Sequence, residues 1–464
     1  MKRTPWCRTI LGPAMVISVG LVGLLVSSVA PAVAEPFNRL PAPPGVPSAI
    51  NRAVPTAPVP TLGVIPLRAR APGYPHRIQE LREAMLPSPS GDPMFDRWPT
   101  DLARRTNGSI IASRDITSTT GFAVTAPIAS ARLVKFRTTD SIGAPSFGTA
   151  TVIVPRTPAR VRGPRPILVH NVPIDSLGTD CTPGYSMAHG VSPITNVTDL
   201  FPPTTQLALA QGYSVIIPDH QGPRMAYAEP WVAGHVVLDS IRAAGQLDPG
   251  RFARPRIAMT GYSGGAIATA AAAKLVPTYA PELEPRMVGA AIGGLPADFE
   301  MLTASMNANL ATGFFHAALF GIARERTQIL PMANHLAQWL ATSPVKNLCT
   351  VPAAVGGTTF VPTQALSSDP DPFHSPVAEE IYQITRMSGM RAGMPLYVYH
   401  GTYEWWIPAA GARAFFAEQC KLGVRGVYRE VPGEHLVTAV AGFGGALTWL
   451  DARLRGVPAP NGCR

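Results

Sequence analysis

Runs of consecutive apolar residues recur along most of the chain. They lie at residues 166–169, 213–217, 256–260, 287–292 and 395–399. Strands buried on both faces of a parallel sheet have this pattern, whereas strands with one solvent face alternate apolar and polar residues. Helical patterns lie between the runs, at residues 233–244, 266–276 and 409–422. The alternation predicts an α/β fold with a mostly parallel sheet, flanked by helices and joined by right-handed crossovers.

Two regions depart from this alternation of apolar runs and helical patterns. Short β-rich stretches at residues 122–124, 133–137 and 149–154 come before the first apolar run, and they predict an antiparallel edge. Residues 296–385 contain no central strand. Instead, residues 301–319 and 327–340 have helical patterns, and residues 349–376 read as a loop rich in Pro, Gly and Thr. This interval predicts a mainly helical cap or lid, inserted over the carboxyl ends of the strands.

The first ninety residues differ in composition from the rest of the chain. Residues 1–34 join a basic start to an apolar stretch and an A-x-A ending, which predicts a signal peptide cleaved near Ala34 and Glu35. The alternative is an uncleaved membrane anchor, because the apolar stretch approaches spanning length. Residues 35–90 are rich in proline and predict an extended or poorly ordered extension over the surface. The α/β core would then occupy residues 91–295 and 386–464.

Charge and cysteine content limit the function classes. The formal net charge is +10, but three basic residues belong to the predicted signal and the others are scattered. Nucleic-acid binding is therefore not expected, because it needs a clustered basic patch. Transient contact with a lipid interface is compatible with the charge. No obligate protein partner is implied. Outside the signal, four cysteines remain at positions 181, 349, 420 and 463. They predict two disulfides with three possible pairings, or buried free thiols. Metal binding is not expected, because no C-x-x-C or H-x-x-x-H pair is present.

Residues 261–265, Gly-Tyr-Ser-Gly-Gly, carry the main chemical signal. They follow an apolar run and precede an alanine-rich helical pattern, so Ser263 stands at a strand-to-helix turn. In a nucleophile elbow the serine hydroxyl is lifted above the sheet at such a turn, and the helix start offers free N–H groups to an oxyanion. The alternative is a glycine-rich turn with an idle serine.

A serine nucleophile needs a base and an orienting acid later in the chain. His435 lies in a loop between the β-rich residues 427–431 and a helical pattern. Glu404 is the only carboxylate in the segment that follows the run at 395–399, beside two tryptophans. These positions predict His435 as the base and Glu404 as the acid. The alternatives are that His435 is an ordinary loop histidine and that Glu404 is a surface glutamate. Asp369 and Asp371 are the fallback acids.

Residues 212–223, 226–227 and 233–243 resemble the secretory lipase family, the α/β-hydrolases that include fungal lipase A. They are similar to the family pattern G-Y-x-V-x-x-P-D-Y-E-G-P, A-Y, A-G-H-x-x-L-D-x-I-R-A. His220 and Gln221 replace the usual Tyr-Glu pair. The resemblance covers about residues 95–455 and implies an α/β-hydrolase fold.

The resemblance also implies roles for particular residues. It makes Ser263 the nucleophile, His435 the base and Glu404 the acid, although the family usually has Asp at that position. It assigns the oxyanion hole to the backbone N–H groups of Asp175 and Gly264.

The same resemblance implies two disulfides, Cys181–Cys349 and Cys420–Cys463. Together these features lead us to expect a secreted or cell-envelope-associated serine lipase or esterase that hydrolyses triacylglycerol or other lipid esters. It would act through an acyl-enzyme and without cofactor or metal. The alternatives are an acyltransferase acting on cell-envelope lipids or sugars, and a non-catalytic binding protein on a hydrolase scaffold.

Overall fold

A nine-stranded sheet forms the centre of the computed structural model, which describes residues 39–43, 45–190, 195–196 and 203–463. Its spatial order is β1-β2-β3-β5-β4-β6-β7-β8-β9. The pairs β1–β2, β2–β3 and β3–β5 are antiparallel, and all other neighbours are parallel. The strands are β1 (Ile110–Asp115), β2 (Ile128–Thr139), β3 (Pro145–Pro155), β4 (Ile167–Asn171), β5 (Ser214–Pro218), β6 (Ile257–Tyr262), β7 (Met287–Gly293), β8 (Leu396–Gly401) and β9 (Gly426–Val431).

Helices cover both faces and one end of the sheet. The α-helices of the described residues are α1 (Val46–Ala53), α2 (His76–Met85), α3 (Pro93–Asp96), α4 (Thr117–Thr120), α5 (Pro183–His189), α6 (Pro203–Ala210), α7 (Pro230–Leu247), α8 (Pro249–Phe252), α9 (Gly264–Tyr279), α10 (Phe299–Met306), α11 (Thr312–Glu325), α12 (His335–Thr342), α13 (Thr350–Val355), α14 (Pro376–Arg386), α15 (Ala409–Lys421), α16 (His435–Ala441) and α17 (Phe443–Leu454). Short 3-10 turns lie at Leu67–Ala69, Leu102–Arg104, Thr179–Cys181, Glu284–Arg286, Thr327–Met332, Pro344–Asn347, Gly356–Thr359, Thr363–Leu366 and Pro372–His374.

The two faces of the sheet belong to separate hydrophobic clusters. Leu168 packs in one cluster with Trp449 and Leu450 of α17, whereas the next residue, Val169, packs in the other with helices α7 and α9. Both positions are buried because a helix layer covers each face. This two-sided burial explains why the central strands read as unbroken apolar runs.

The predicted strands at the centre of the sheet are confirmed, as is the antiparallel edge formed by β2 and β3. The prediction of a strand at residues 122–124 is wrong. The Phe122 N–H donates to the Thr119 carbonyl and the Val124 N–H to the Thr120 carbonyl, so these residues form a turn after α4. The first strand of the edge is β1 instead.

The segment between β7 and β8 contributes helices and no strand to the sheet, and we call residues 296–385 the cap. Within it, the predicted single helices are wrong in detail. Residues 301–319 are divided between α10 and α11, because the buried Asn307 side chain accepts from the Thr363 N–H and donates to Gln364. Residues 327–340 form a 3-10 turn and then α12, since Pro331 lacks the N–H that a regular helix needs. The predicted loop at 349–376 contains α13 and several 3-10 turns.

Residues 35–90 are predicted to be extended or poorly ordered; within the described part, residues 55–62 form neither helix nor strand, but poor order is wrong for the helical parts. Helices α1 and α2 lie there, and Leu81 and Met85 of α2 are buried against the cap. Their burial removes apolar surface from water, which orders a segment that its proline content marks as extended. The proposed signal, residues 1–34, lies outside the described residues. Among the described helices, we find none that combines the length and apolarity required to cross a membrane.

Candidate active site

Ser263 occupies a strained turn between β6 and α9. Its backbone angles are φ 54° and ψ −122°, and positive φ is costly for a residue with a Cβ. The Ser263 N–H donates to the Gly293 carbonyl at 3.0 Å, which fixes the turn against the neighbouring strand. A Cβ at Gly261 would collide with the Gly265 carbonyl, so only glycines let strand and helix approach this closely. This is the geometry of a nucleophile elbow.

His435 and Glu404 meet at the same edge of the sheet. His435 begins α16 just after β9, and Glu404 lies in the loop that follows β8. The His435 Nδ1 lies 2.8 Å from Glu404 Oε2, and both side chains are almost fully buried. The loop that carries Glu404 is closed at its base by His400, whose Nε2 lies 2.8 Å from the Ile407 carbonyl oxygen. The carboxylate can therefore hold the imidazole in the tautomer that leaves Nε2 free to accept a proton.

Neighbouring rings fix the orientation of the His435 imidazole. The Tyr262 ring packs on it at 4.9 Å, and the Trp406 ring meets it edge-on at 4.5 Å. The Tyr262 hydroxyl also donates to the His435 carbonyl at 2.5 Å. At Gly294, φ is +55° and a Cβ would press on both the Tyr262 ring and His435 Cε1. Nothing in the sequence pattern marked Gly294 or Tyr262 as a support of this site, although Tyr262 lies inside the elbow motif.

The two fallback acids lie in the cap and have other partners. Asp371 accepts from the His374 ring at 2.7 Å, and the Asp369 carboxylate accepts from the Asp371 N–H. Neither contact involves His435. Of the three candidate acids, the structure brings only Glu404 to the histidine.

Asp175 lies beside the elbow in the loop after β4. Its φ is 44°, and its side chain is packed so closely on residue 264 that a Cβ there would collide with Asp175 Oδ1. Burial raises the pKa of the Asp175 carboxyl to about 7, while the nearby His435 and the Gly264 N–H act in the opposite direction. Asp175 Oδ1 has no hydrogen-bond partner among the described residues. A buried carboxyl group therefore faces the backbone donor that an oxyanion hole would use.

The replacements at positions 220 and 221 both contact the Asp175 loop. The Gln221 Nε2 donates to the Ser176 carbonyl at 3.1 Å, and its Oε1 lies 3.4 Å from the Ser176 N–H. His220 Nε2 lies 2.8 Å from the Val172 carbonyl oxygen. A glutamate at position 221 could accept from Ser176 but could not donate to it, so the amide suits this loop.

The cap is attached to the same loop. The Leu177 N–H donates to the Leu348 carbonyl at 2.8 Å, and the Thr350 hydroxyl donates to the Ile174 carbonyl at 2.8 Å. A disulfide joins Cys181 and Cys349 nearby, and a second joins Cys420 and Cys463. These are the pairings that the family resemblance implies. Among the described residues, one group with the spacing of metal ligands contains Asp180 and the first disulfide, whose bonded sulfurs offer no thiolate.

Arg324 of α11 connects four segments around the site, and its side chain is fully buried. Its guanidinium donates to five backbone carbonyls, those of Met85, Leu177, Arg224, Met225 and Lys346. Since no carboxylate is among these acceptors, burial lowers the pKa of Arg324 to about 9. The side chain thus joins α2, the Asp175 loop, the loop at residues 224–225 and the cap.

A cavity of ≈ 190 Å³ opens from Ser263 and Asp175 under the cap. Its walls are mainly apolar side chains of α10, α11, α12 and α14. Besides Asp175 and two tyrosines, His316 is the ionisable lining residue, and burial lowers its pKa to about 4. The cavity can therefore receive an uncharged aliphatic group next to the Ser263 hydroxyl.

Comparison with known proteins agrees with this arrangement. Lipase 10 of Candida albicans is 29% identical over 401 residues, which are 82% of this chain and 84% of that protein. The crystal structure of Candida antarctica lipase A in its closed state is 27% identical and superposes with a TM-score of 0.71, covering 81% of this chain and 90% of that chain. The rice cell wall degrading esterase LipA from Xanthomonas oryzae is 13% identical and shares the fold, with a TM-score of 0.59 over 75% of this chain and 98% of its own. The profile of the secretory lipase family matches residues 195–462, and the chain belongs to that family.

Proposed function

We propose that this protein is a secreted serine lipase or esterase that hydrolyses lipid esters through an acyl-enzyme. The contact of 2.8 Å between His435 and Glu404, next to the strained elbow at Ser263, carries the proposal. Membership of the secretory lipase family supports ester hydrolysis as the reaction. The apolar cavity at Ser263 supports a substrate with an aliphatic acyl group.

In the proposed reaction, Ser263 Oγ attacks the ester carbonyl carbon while His435 Nε2 accepts the hydroxyl proton. Glu404 stabilises the imidazolium that forms. The tetrahedral oxyanion accepts from the backbone N–H groups of Gly264 and Asp175. The ester C–O bond then breaks, and the proton on His435 passes to the leaving alcohol. Water attacks the acyl-enzyme with His435 as base, which releases the fatty acid and restores Ser263. These steps use no cofactor.

Replacing the nucleophile tests the proposal. Ser263→Ala should lower kcat for p-nitrophenyl butyrate by on the order of 10⁶-fold, because the acyl-enzyme cannot form. Ser240→Ala is a matched control, since the buried Ser240 hydroxyl donates to the Val237 carbonyl at 2.7 Å within α7 and does not line the cavity at Ser263. Ester hydrolysis that survives Ser263→Ala would remove the proposal.

Secretion is part of the proposal and rests on separate features. Two disulfides are typical of proteins that fold in an oxidising compartment, and the family is a secretory one. The exported protein should begin at Glu35, which N-terminal sequencing can establish. Recovery of the protein with its first 34 residues intact in the membrane fraction would instead support the anchor alternative.

A further inference from the structure

The cavity at Ser263 extends far beyond the elbow. Near Ser263 its lining residues belong to one hydrophobic cluster, represented by Ile267, Phe299 and Phe315. Other lining residues belong to a second cluster, made by Leu81, Met85, Leu330 and Ala341. Phe320 and Ile329 pack against both clusters, and both line the cavity. The cavity therefore runs from the elbow, past these two side chains, to the second cluster.

Helix α2 supplies the wall at that far end. Leu81 and Met85 are four residues apart, so they lie on the same face of α2, and both are buried. Three side-chain bonds hold the helix to the cap. Arg82 Nε donates to the Arg324 carbonyl at 2.7 Å, Arg324 Nε donates to the Met85 carbonyl at 3.1 Å, and Lys346 Nζ donates to the Ala84 carbonyl at 3.0 Å. The wall is thus fixed in place rather than lying loosely over the surface.

The chemistry of the lining restricts what can occupy it. Asp175 is the single acid among the lining residues, it lies at the Ser263 end, and the lining contains no lysine or arginine. At the far end, the polar lining residues include Gln338 and Ser367, which is paired with Ala333. A sugar or peptide would leave most of its polar groups without partners there, whereas an unbranched hydrocarbon chain has no polar groups to satisfy. Each methylene that enters favours binding until the chain meets the wall.

We infer that α2 forms the end wall of the acyl-chain site, and that Leu81, Met85 and Ala341 set the longest acyl chain that the enzyme accepts. This inference rests on the proposed function, since it takes the acyl group to be bound to Ser263. It gives the substrate class as long-chain acyl esters. It also assigns a segment outside the hydrolase core a direct part in substrate selection.

A photoreactive inhibitor tests the path of the chain. A p-nitrophenyl hexadecylphosphonate with a diazirine at its terminal carbon should phosphonylate Ser263 and, on irradiation, crosslink to peptides that contain Leu81, Met85 or Ala341. The same phosphonate with the diazirine four carbons from phosphorus should crosslink to the cap near Phe299 and Phe315 instead. Phosphonylation of Ser263 with terminal crosslinks that avoid α2 and α12 would overturn the inference and leave the proposed function standing. If neither probe phosphonylates Ser263 while p-nitrophenyl butyrate is still hydrolysed, the long chain does not fit and only the inference falls. If a short-chain fluorophosphonate also fails to label Ser263, the proposed function falls as well.

Variants at the far end test the length limit. Ala341→Phe fills space there, so the ratio of kcat/KM for p-nitrophenyl palmitate to that for butyrate should fall at least tenfold. Met85→Ala removes part of the wall and should shift the preferred chain towards greater length. It also keeps the test decisive if Ala341→Phe does not fold. Ile78→Ala is the matched control, because Ile78 packs on the same cluster without lining the cavity, and its ratio should match the wild type. Unchanged ratios in folded Ala341→Phe and Met85→Ala proteins would overturn the inference.

Discussion

The His435 imidazole and the Glu404 carboxylate are paired at 2.8 Å although Glu404 stands where the family usually has an aspartate. Both side chains are shielded from water, and His435 Nδ1 lies within hydrogen-bond distance of the buried carboxylate. Glutamate is one methylene longer than aspartate, and the loop closed by His400 and Ile407 carries it at a position from which its oxygen reaches Nδ1. The replacement of aspartate by glutamate at this position therefore retains the contact that orients the His435 imidazole.

Removal of the charge at position 404 tests that contact. In Glu404→Gln the amide can no longer stabilise an imidazolium, and kcat should fall by on the order of 10³–10⁴-fold. Glu404→Asp keeps the charge but shortens the reach, so its loss should be much smaller. Steady-state rates with p-nitrophenyl butyrate measure both. Near-normal turnover in Glu404→Gln would mean that another group orients His435.

Tyr262 should act on turnover through His435. In Tyr262→Phe the His435 carbonyl loses its hydrogen-bond donor, while the ring still packs on the imidazole. Because one hydrogen bond is lost, we expect kcat to fall by up to about tenfold and KM to change little. Tyr397→Phe serves as control, because Tyr397 packs on Trp449 away from the histidine. A Tyr262→Phe enzyme with wild-type kcat would show that the bond is not needed for positioning.

The raised pKa of Asp175 predicts a change in activity around neutral pH. Below pH 7 the carboxyl is mainly neutral, whereas above it an ionised carboxylate lies beside the proposed oxyanion donor Gly264 and opposes the developing charge. The kcat/KM of the wild type should therefore decline as the pH rises through about 7. Asp175→Asn keeps the backbone N–H, and asparagine tolerates positive φ, so this variant should lack that decline. Identical pH profiles for the two proteins would contradict the assignment.

Arg324 should contribute more to stability than the buried Arg453. Arg324→Met leaves five backbone carbonyls without their donor, and each such buried group costs about 1–3 kcal/mol, so the free energy of unfolding should fall by several kcal/mol. Arg453→Met is the matched control. Arg453 is also buried, but its Nε and Nη1 have no partner among the described residues, and we expect a change within about 1 kcal/mol. Urea unfolding measures both, and equal losses would contradict the role of Arg324.

The sequence predicted the parts of the fold that depend on local pattern. Central strands such as β4 and β6 are covered on both faces, so their apolar runs are unambiguous. The elbow is also visible in the sequence, because its glycines are needed where strand and helix approach each other closely. The parts that depend on distant partners were not predictable. The break between α10 and α11 arises from Asn307 bonding to residues more than fifty positions later. Helix α2 is ordered by contacts with the cap, which no pattern within residues 76–85 reveals.

In the candidate site, too, some residues were predictable from local pattern and others were not. Ser263, His435 and Glu404 each follow a strand that the sequence makes visible, and their meeting follows from the shared edge of a parallel sheet. By contrast, the contact of Gln221 with Ser176 depends on the path of a loop. Only the folded chain brings these residues together.

Covalent labelling of the nucleophile tests the central claim most directly. The folded wild-type protein, treated with a fluorophosphonate, should gain one phosphonyl group, and peptide mass spectrometry should place it on Ser263. The Ser263→Ala protein should gain none, and Glu404→Gln should be labelled much more slowly. A folded wild-type protein that stays unlabelled, or that carries the label on another residue, would contradict the account of this chain as a serine hydrolase built on Ser263.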